Sequence, residues 1–253
     1  MGAKLVIGDF DNKDALRLAT HDMDAVFFTE SLTGDWVGDL QRGTNVIEAA
    51  RASPTVSTMI VSTAFKTGQH ETFPSWGPDY TMRQYWLSKQ AIESRVRDAG
   101  FKHWTIMRPV HFLQNLKASK SSITFPGLAE DRILRVAWKP DTKITWIDAA
   151  DAGIVVAAAL SDPEKYHGKE LDLAVEALTV GQLATKLSKA LGTDVKVHFL
   201  SEEELEELSK QGSPLPAAQQ WANEVAGEDA LREATGLSLT SVDEFLARNV
   251  SQI

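Results

Sequence analysis

The sequence contains no cysteine in its 253 residues. That absence excludes disulfide bridges and thiolate metal sites, and it fits a reducing compartment. Long apolar runs are missing too. The longest, residues 154–160, falls far short of the ~20 residues a helix needs to cross a bilayer, and it reads as a buried helix face. Positive charge is in deficit. Lys and Arg number 26 against 35 Asp and Glu, a net charge of -9, which argues against direct binding to a nucleic-acid backbone. Much of the acid lies in residues 201–207, where it reads as the solvated start of a helix. His70, His103, His111 and His198 have no ligand spacing, so no metal site is expected. A single lysine before a short apolar stretch does not make a secretion signal.

What is present is an alternation of strand and helix patterns. Leu5, Val6 and Ile7 form an apolar strand running into Gly8, Asp9, Phe10 and Asp11, and residues 12–20 follow as a helix. Residues 25–28 read as a buried strand, 35–52 as a helix and 56–61 as a β-branched strand. An amphipathic helix over 85–99 stops at Gly100, and a strand over 104–107 closes at Arg108 and Pro109. Such alternation without hairpin signals predicts a parallel sheet with right-handed crossovers. After residue 118 the pattern changes. Strand-like pieces appear at 123–125 and 133–138, an Ala-rich helix at 149–160 and a late strand at 171–174. Thr179 and Ser241 open capped helices.

Tyr85 and Lys89 are the sharpest chemical signal. Four residues apart on a helix, they project from one face. A nearby ammonium favours the phenolate and brings the tyrosine towards use as an acid or base. Ser62 and Thr63, at the carboxyl end of a strand, stand where a hydroxyl can polarise a substrate carbonyl. The plain alternative for Tyr85 and Lys89 is a half-exposed aromatic beside a surface cation. The stretch 67–80, with Gly68, Pro74, Gly77 and Pro78, has the composition of a loop and is a candidate substrate lid. Trp76 and Trp86 are candidates to shape a substrate mouth, while Trp36, Trp138 and Trp221 read equally well as packing residues.

In order along the chain, Gly8-Asp9-x-Asp11, residues 24–27, residues 45–50, Tyr85 to Lys89 with Glu93, and residues 104–109 with Phe112 to Asn115 resemble the NmrA-like family, as do Leu178-Thr179 and Leu191-Gly192. These are atypical short-chain dehydrogenase/reductases. The resemblance implies a Rossmann-like, doubly wound parallel α/β sheet with a smaller C-terminal α+β lobe. Residues 1–118 with 146–175 would form the NAD(P)-binding region, and 119–145 with 176–253 the substrate lobe. It also implies that Asp9 and Phe10 border the adenine, that Phe28 and Thr29 run beside the ribose and diphosphate, and that Lys89 binds the nicotinamide ribose. Pro109, Phe112, Leu113 and Asn115 would wall the nicotinamide and substrate. Asp9 reads alternatively as a helix cap, Phe28 and Phe112 as core, and Asn115 as a turn residue.

Within that resemblance the sequence opens on what looks like the third strand of the fold, without the glycine-rich turn that cradles a pyrophosphate. The sheet is therefore expected to be N-terminally truncated. Residues 5–7 are expected to move in and pair directly with 25–28, and NADP or NAD to bind weakly or not at all to this chain alone. Two functional classes follow. One is an NAD(P)-dependent oxidoreductase acting on a small carbonyl or enone, with Tyr85 as proton donor, Lys89 as its tuner and Ser62 or Thr63 as orienter. The other is a non-catalytic NADP-sensing or protein-interaction module, with an inactive truncated product as a third case. A cytoplasmic setting is expected, with the nucleus left open. The expected partners are a small-molecule substrate and either a protein partner or a second copy of the chain, with no membrane.

Overall fold

The structure, a computed structural model, describes residues 2–29, 33–213, 215–225 and 236–253. The elements run α1 (Lys13–Thr20), β1 (Ala25–Thr29), α2 (Trp36–Ala52), β2 (Thr58–Ser62), α3 (Arg83–Asp98), β3 (His103–Pro109), β4 (His111–Phe112), α4 (Ala118–Thr124), α5 (Leu128–Asp131), β5 (Ile133–Val136) and β6 (Lys143–Ile147). They continue as α6 (Ala149–Ser161), α7 (Pro163–Tyr166), β7 (Lys169–Leu173), β8 (Glu176–Thr179), α8 (Val180–Leu191), β9 (Lys196–Phe199), α9 (Glu202–Lys210), α10 (Leu215–Gln220), α11 (Ala222–Val225) and α12 (Val242–Asn249). The chain divides into two compact units. The first holds Met1–Glu71, Arg83–Arg108 and Ile154–Asp172, and the second Thr72–Met82, Pro109–Gly153 and Leu173–Ile253.

The first unit is built on a four-stranded sheet of order β1-β2-β3-β7. β1, β2 and β3 are parallel, in a register that aligns Thr29 with Ser62 and Ser62 with Met107 at their carboxyl ends. The near-continuous apolar run of β2, buried from Thr58 to Val61, is what a strand covered on both faces requires. α1 and α3 pack on α2. Asn12 caps α1 through Ala15 N–H, and Asp35 caps α2 through Gly38 N–H. A core of Phe28, Val46, Ile47, Ala50, Met59, Val61, Ile92, Val96 and Ile106 fills this unit. α2 meets α3 at Gly43, where an added Cβ would lie 2.4 Å from Ile92 Cδ1.

The second unit carries a sheet of order β4-β6-β8 and a parallel pair β5-β9. Its core gathers Leu113, Leu116, Phe125, Leu134, Trp138, Trp146, Leu183, Phe245 and Leu246. Capping boxes at Thr179, Ser201 and Ser241 start α8, α9 and α12.

Two expectations are corrected. Residues 5–7 form no strand and do not pair with 25–28, and Leu5 and Ile7 are 89% and 97% exposed. Ordered packing begins just after them. Asp9 Oδ1 accepts the N–H groups of Asp11 and Asn12, and Phe10 packs edge-on to Phe28 while Asn45 donates to its carbonyl. A strand exists only through its ladder, and this segment has none. Residues 123–125, read as a strand, instead lie at the end of α4, where Thr124 Oγ1 donates to the carbonyls of Lys120 and Asn115 and offsets the β-branched preference. In the second unit β6 pairs with β8 antiparallel.

Candidate functional site

In open parallel sheets ligands bind beyond the carboxyl ends of the strands. In the first unit those ends carry Thr29, Ser62 and Thr63. Thr29 and Ser62 are neighbours across the β1–β2 ladder, and Thr63 N–H extends the next one by donating to Met107 O at 2.8 Å. Among the described residues the Ser62 hydroxyl has no hydrogen-bond partner. Thr63 Oγ1 donates to Glu93 Oε1 at 2.7 Å.

Glu93 organises the wall behind these hydroxyls. It lies on α3, and its carboxylate is buried. Oε1 accepts from Thr63 and from Arg108 Nε at 2.8 Å. Oε2 accepts from Arg108 Nη2 at 2.6 Å and from Arg97 Nη2 at 2.8 Å. Glu170 on β7 bridges the same guanidiniums, at 2.7 Å to Arg97 and 2.5 Å to Arg108. Burial alone works against the Arg108 charge, but the Glu93 hydrogen bonds, with the charges of Glu93, Glu170 and Asp172, outweigh it and hold that guanidinium above its ordinary pKa. The Arg97 hydrogen bond, aided by Arg108, holds the Glu170 carboxyl below the usual glutamate range. The network ties together the end of β2, the middle of α3, the end of β3 and β7.

Tyr85, Lys89, Glu93 and Arg97 succeed one another every four residues along one face of α3. Lys89 is buried, and its Nζ lies 5.7 Å from the centroid of the Tyr85 ring. Tyr85 is half-buried and meets Trp36 edge-on, with ring centroids 5.5 Å apart. Trp86 does not shape a mouth. It is a core residue, stacked on buried His70.

The residues that the resemblance gave to cofactor fall in both units. Asp9 caps the turn before α1, Phe10 is half-buried against Phe28, and Phe28 is itself core. Pro109, Phe112, Leu113 and Asn115 belong to the second unit. There Phe112 and Asn115 are half-buried, and Leu113 has no accessible surface and sits in the core. Part of the loop-like stretch 67–80 also belongs to the second unit, from Thr72 onward. Phe73 stacks on Trp221, Trp76 packs on Tyr80, and Ser75 N–H donates to Glu224. His111 lies flat against Trp221 with Trp138 and Trp146 around it, and burial pushes its pKa down to about 4. Among the described residues no cluster of side chains suits a metal ion, and no helix is long and apolar enough to cross a membrane.

Sequence reasoning missed the Glu93–Arg108–Glu170 network. The available signal was Glu93 itself, four residues after Lys89 on a helix and facing a strand that ends in Arg108. Glu170, far along the chain, gave none.

A family model described as the NmrA-like family matches residues 1–246. The chain belongs to the NmrA-like family. It is 26% identical over 217 residues to an NAD(P)H azoreductase of Xenophilus azovorans, covering 84% of this chain and 68% of that one. Its fold matches a triphenylmethane reductase of Citrobacter sp. solved with NADP(H), with a TM-score of 0.75, 18% identity, and 98% of this chain and 84% of that one covered. It also matches an NADPH-dependent quinone oxidoreductase of Escherichia coli solved with NADPH, with a TM-score of 0.74, 22% identity and the same coverage. The fold is thus that of the Rossmann-type α/β proteins in the family.

Proposed function

We propose that this protein is an NAD(P)H-dependent oxidoreductase that reduces a small conjugated carbonyl compound, an enone or a quinone. Family membership and the names of its relatives, reductases of azo, quinone and dye compounds, support the reaction class. The observation that carries the reading is the buried Lys89 ammonium over the Tyr85 ring, on the face of α3 that also reaches Thr63 through Glu93. A bound dihydronicotinamide supplies a hydride to the acceptor carbon. The Tyr85 phenol gives its proton to the acceptor oxygen, leaving a phenolate that the Lys89 charge stabilises and that solvent reprotonates. Ser62 holds the acceptor oxygen by hydrogen bonding.

The side chains suit one half of the cofactor better than the other. Thr29, Ser62, Thr63 and Lys89 match the hydroxyls and carboxamide of a nicotinamide riboside. A diphosphate meets less favourable chemistry. The start of α1 is closed by Asn12, with Asp9, Asp11 and Asp14 around it, and the start of α2 is closed by Asp35. Carboxylates there oppose a second anion where helix dipoles would otherwise favour one. This charge pattern predicts weak cofactor binding by this chain.

The test is fluorescence titration with NADPH and NADH, followed by NADPH consumption with benzoquinone and with a simple enone. Tyr85→Phe should bind cofactor as the wild type does and lose turnover, while Lys89→Ala should lose both. A wild-type chain that consumes no NADPH with either acceptor, or a Tyr85→Phe variant that turns over normally, overturns the proposal.

A further inference from the structure

Thr63 has one hydroxyl proton, and that proton is committed. It points at Glu93 Oε1, 2.7 Å away, and the other acceptor within its reach, Met107 O at 3.5 Å, is also internal to the protein. Glu93 offers no alternative geometry. A carboxylate has about four acceptor sites, and here they hold Thr63, two contacts from Arg108 and one from Arg97. Both guanidiniums are donors only, so Glu93 must remain the acceptor in the Thr63 bond. What Thr63 presents to its surroundings is therefore lone pairs. The residue is half-buried, so a ligand beyond the strand ends can reach it.

We infer that Thr63 is a specificity-determining residue that accepts a hydrogen bond from the ligand and cannot donate one, with Glu93 as the positioning residue that fixes this polarity. This rules Thr63 out as a polariser of a substrate carbonyl and leaves that role to Ser62, whose hydroxyl is uncommitted. The group seated at Thr63 carries an N–H or O–H. The assignment rests on the NAD(P)H reading above for the identity of that ligand, which supplies two such donors, the carboxamide NH2 and a ribose hydroxyl. Bare carbonyl oxygens and anionic oxygens are repelled from the same position.

Two measurements test this. The first needs no cofactor. Thr63→Val, Glu93→Gln and the double variant are unfolded in urea. Coupling between the two sites is expected, and strictly additive effects would refute the committed proton. The second is binding of NADP+ and of its acetylpyridine analogue, in which a methyl group replaces the carboxamide NH2. If the carboxamide is the donor, the wild type should bind the analogue ~5- to 10-fold more weakly, Thr63→Val should erase that preference, and Thr63→Ser should keep it. If a ribose hydroxyl is the donor, Thr63→Val should weaken both ligands by a similar ~5- to 10-fold factor. A Thr63→Val variant that binds NADP+ as tightly as the wild type and discriminates as it does overturns the inference. A wild-type chain that binds no nicotinamide dinucleotide overturns the reductase reading instead, and the urea cycle still judges Thr63 and Glu93.

Discussion

Removing Glu93 tests how far the fold of the first unit depends on one buried carboxylate. In Glu93→Ala the Arg108 guanidinium, whose side chain is 10% exposed, loses both of its short contacts to that residue. Arg97 loses one, and the Thr63 hydroxyl loses its acceptor. Breaking one side of a buried ion pair costs ~3–5 kcal/mol, because the remaining charge is left desolvated. Glu170 still faces both guanidiniums, which places the expected loss towards the lower end of that range. At ~2–4 °C per kcal/mol for a chain of this length, the melting temperature should fall by roughly 6–12 °C. Glu93→Gln keeps the shape and one acceptor oxygen and should lose about half as much. Calorimetry on the three proteins at neutral pH, with circular dichroism as a second probe, makes the comparison. A loss below ~1 kcal/mol in Glu93→Ala is what an exposed ion pair would give, and it would refute the view that this network holds β2, α3, β3 and β7 together.

Other outcomes follow from the same geometry. The Glu170 carboxyl has a folded pKa below its ordinary value. Its contribution is therefore present above the ordinary glutamate pKa and lost as pH falls through the folded value. The stability gap between wild type and Glu170→Gln, read from urea midpoints, should accordingly close in acid and stay constant from pH ~5 upward. His111 is a base whose folded pKa is pushed down to about 4, so the unfolded chain binds its proton first. Stability should decline as pH falls from ~6.5 to ~4, and His111→Phe should flatten that slope in a pH series of thermal melts. Gly43→Ala would bring a methyl group to 2.4 Å from the Cδ1 of buried Ile92, and overpacking there should cost ~1–3 kcal/mol by denaturant titration. Leu134→Ala, in the core of the second unit, should cost ~2–5 kcal/mol, and an unchanged urea midpoint would count against that core.

Local patterns carried most of the secondary structure. The 3.6-residue apolar spacing of α2 and α3, the β-branched run of β2 and the Thr179 and Ser241 boxes are signals written within a few residues. They recur in the structure because nothing distant opposes them. The family was legible in the same way, from the order of short motifs. Residues 5–7 show where such reading stops. Three apolar residues spell a strand, but a strand is a property of two segments, and only the tertiary structure determines whether a partner ladder exists. The polar wall was hidden for a related reason. Thr63 follows β2, while Glu93, Arg108 and Glu170 lie on α3, β3 and β7, and no spacing in the sequence announces that they converge. Tyr85 and Lys89 were visible from a single helix turn, whereas the direction of the Thr63 hydroxyl depends on a carboxylate 30 residues away in the chain. Local pattern alone set most of the helices and strands and marked the family to which they belong. Folding decided which polar groups meet around Glu93 in a buried, low-dielectric space, and therefore which way the Thr63 hydrogen bond points.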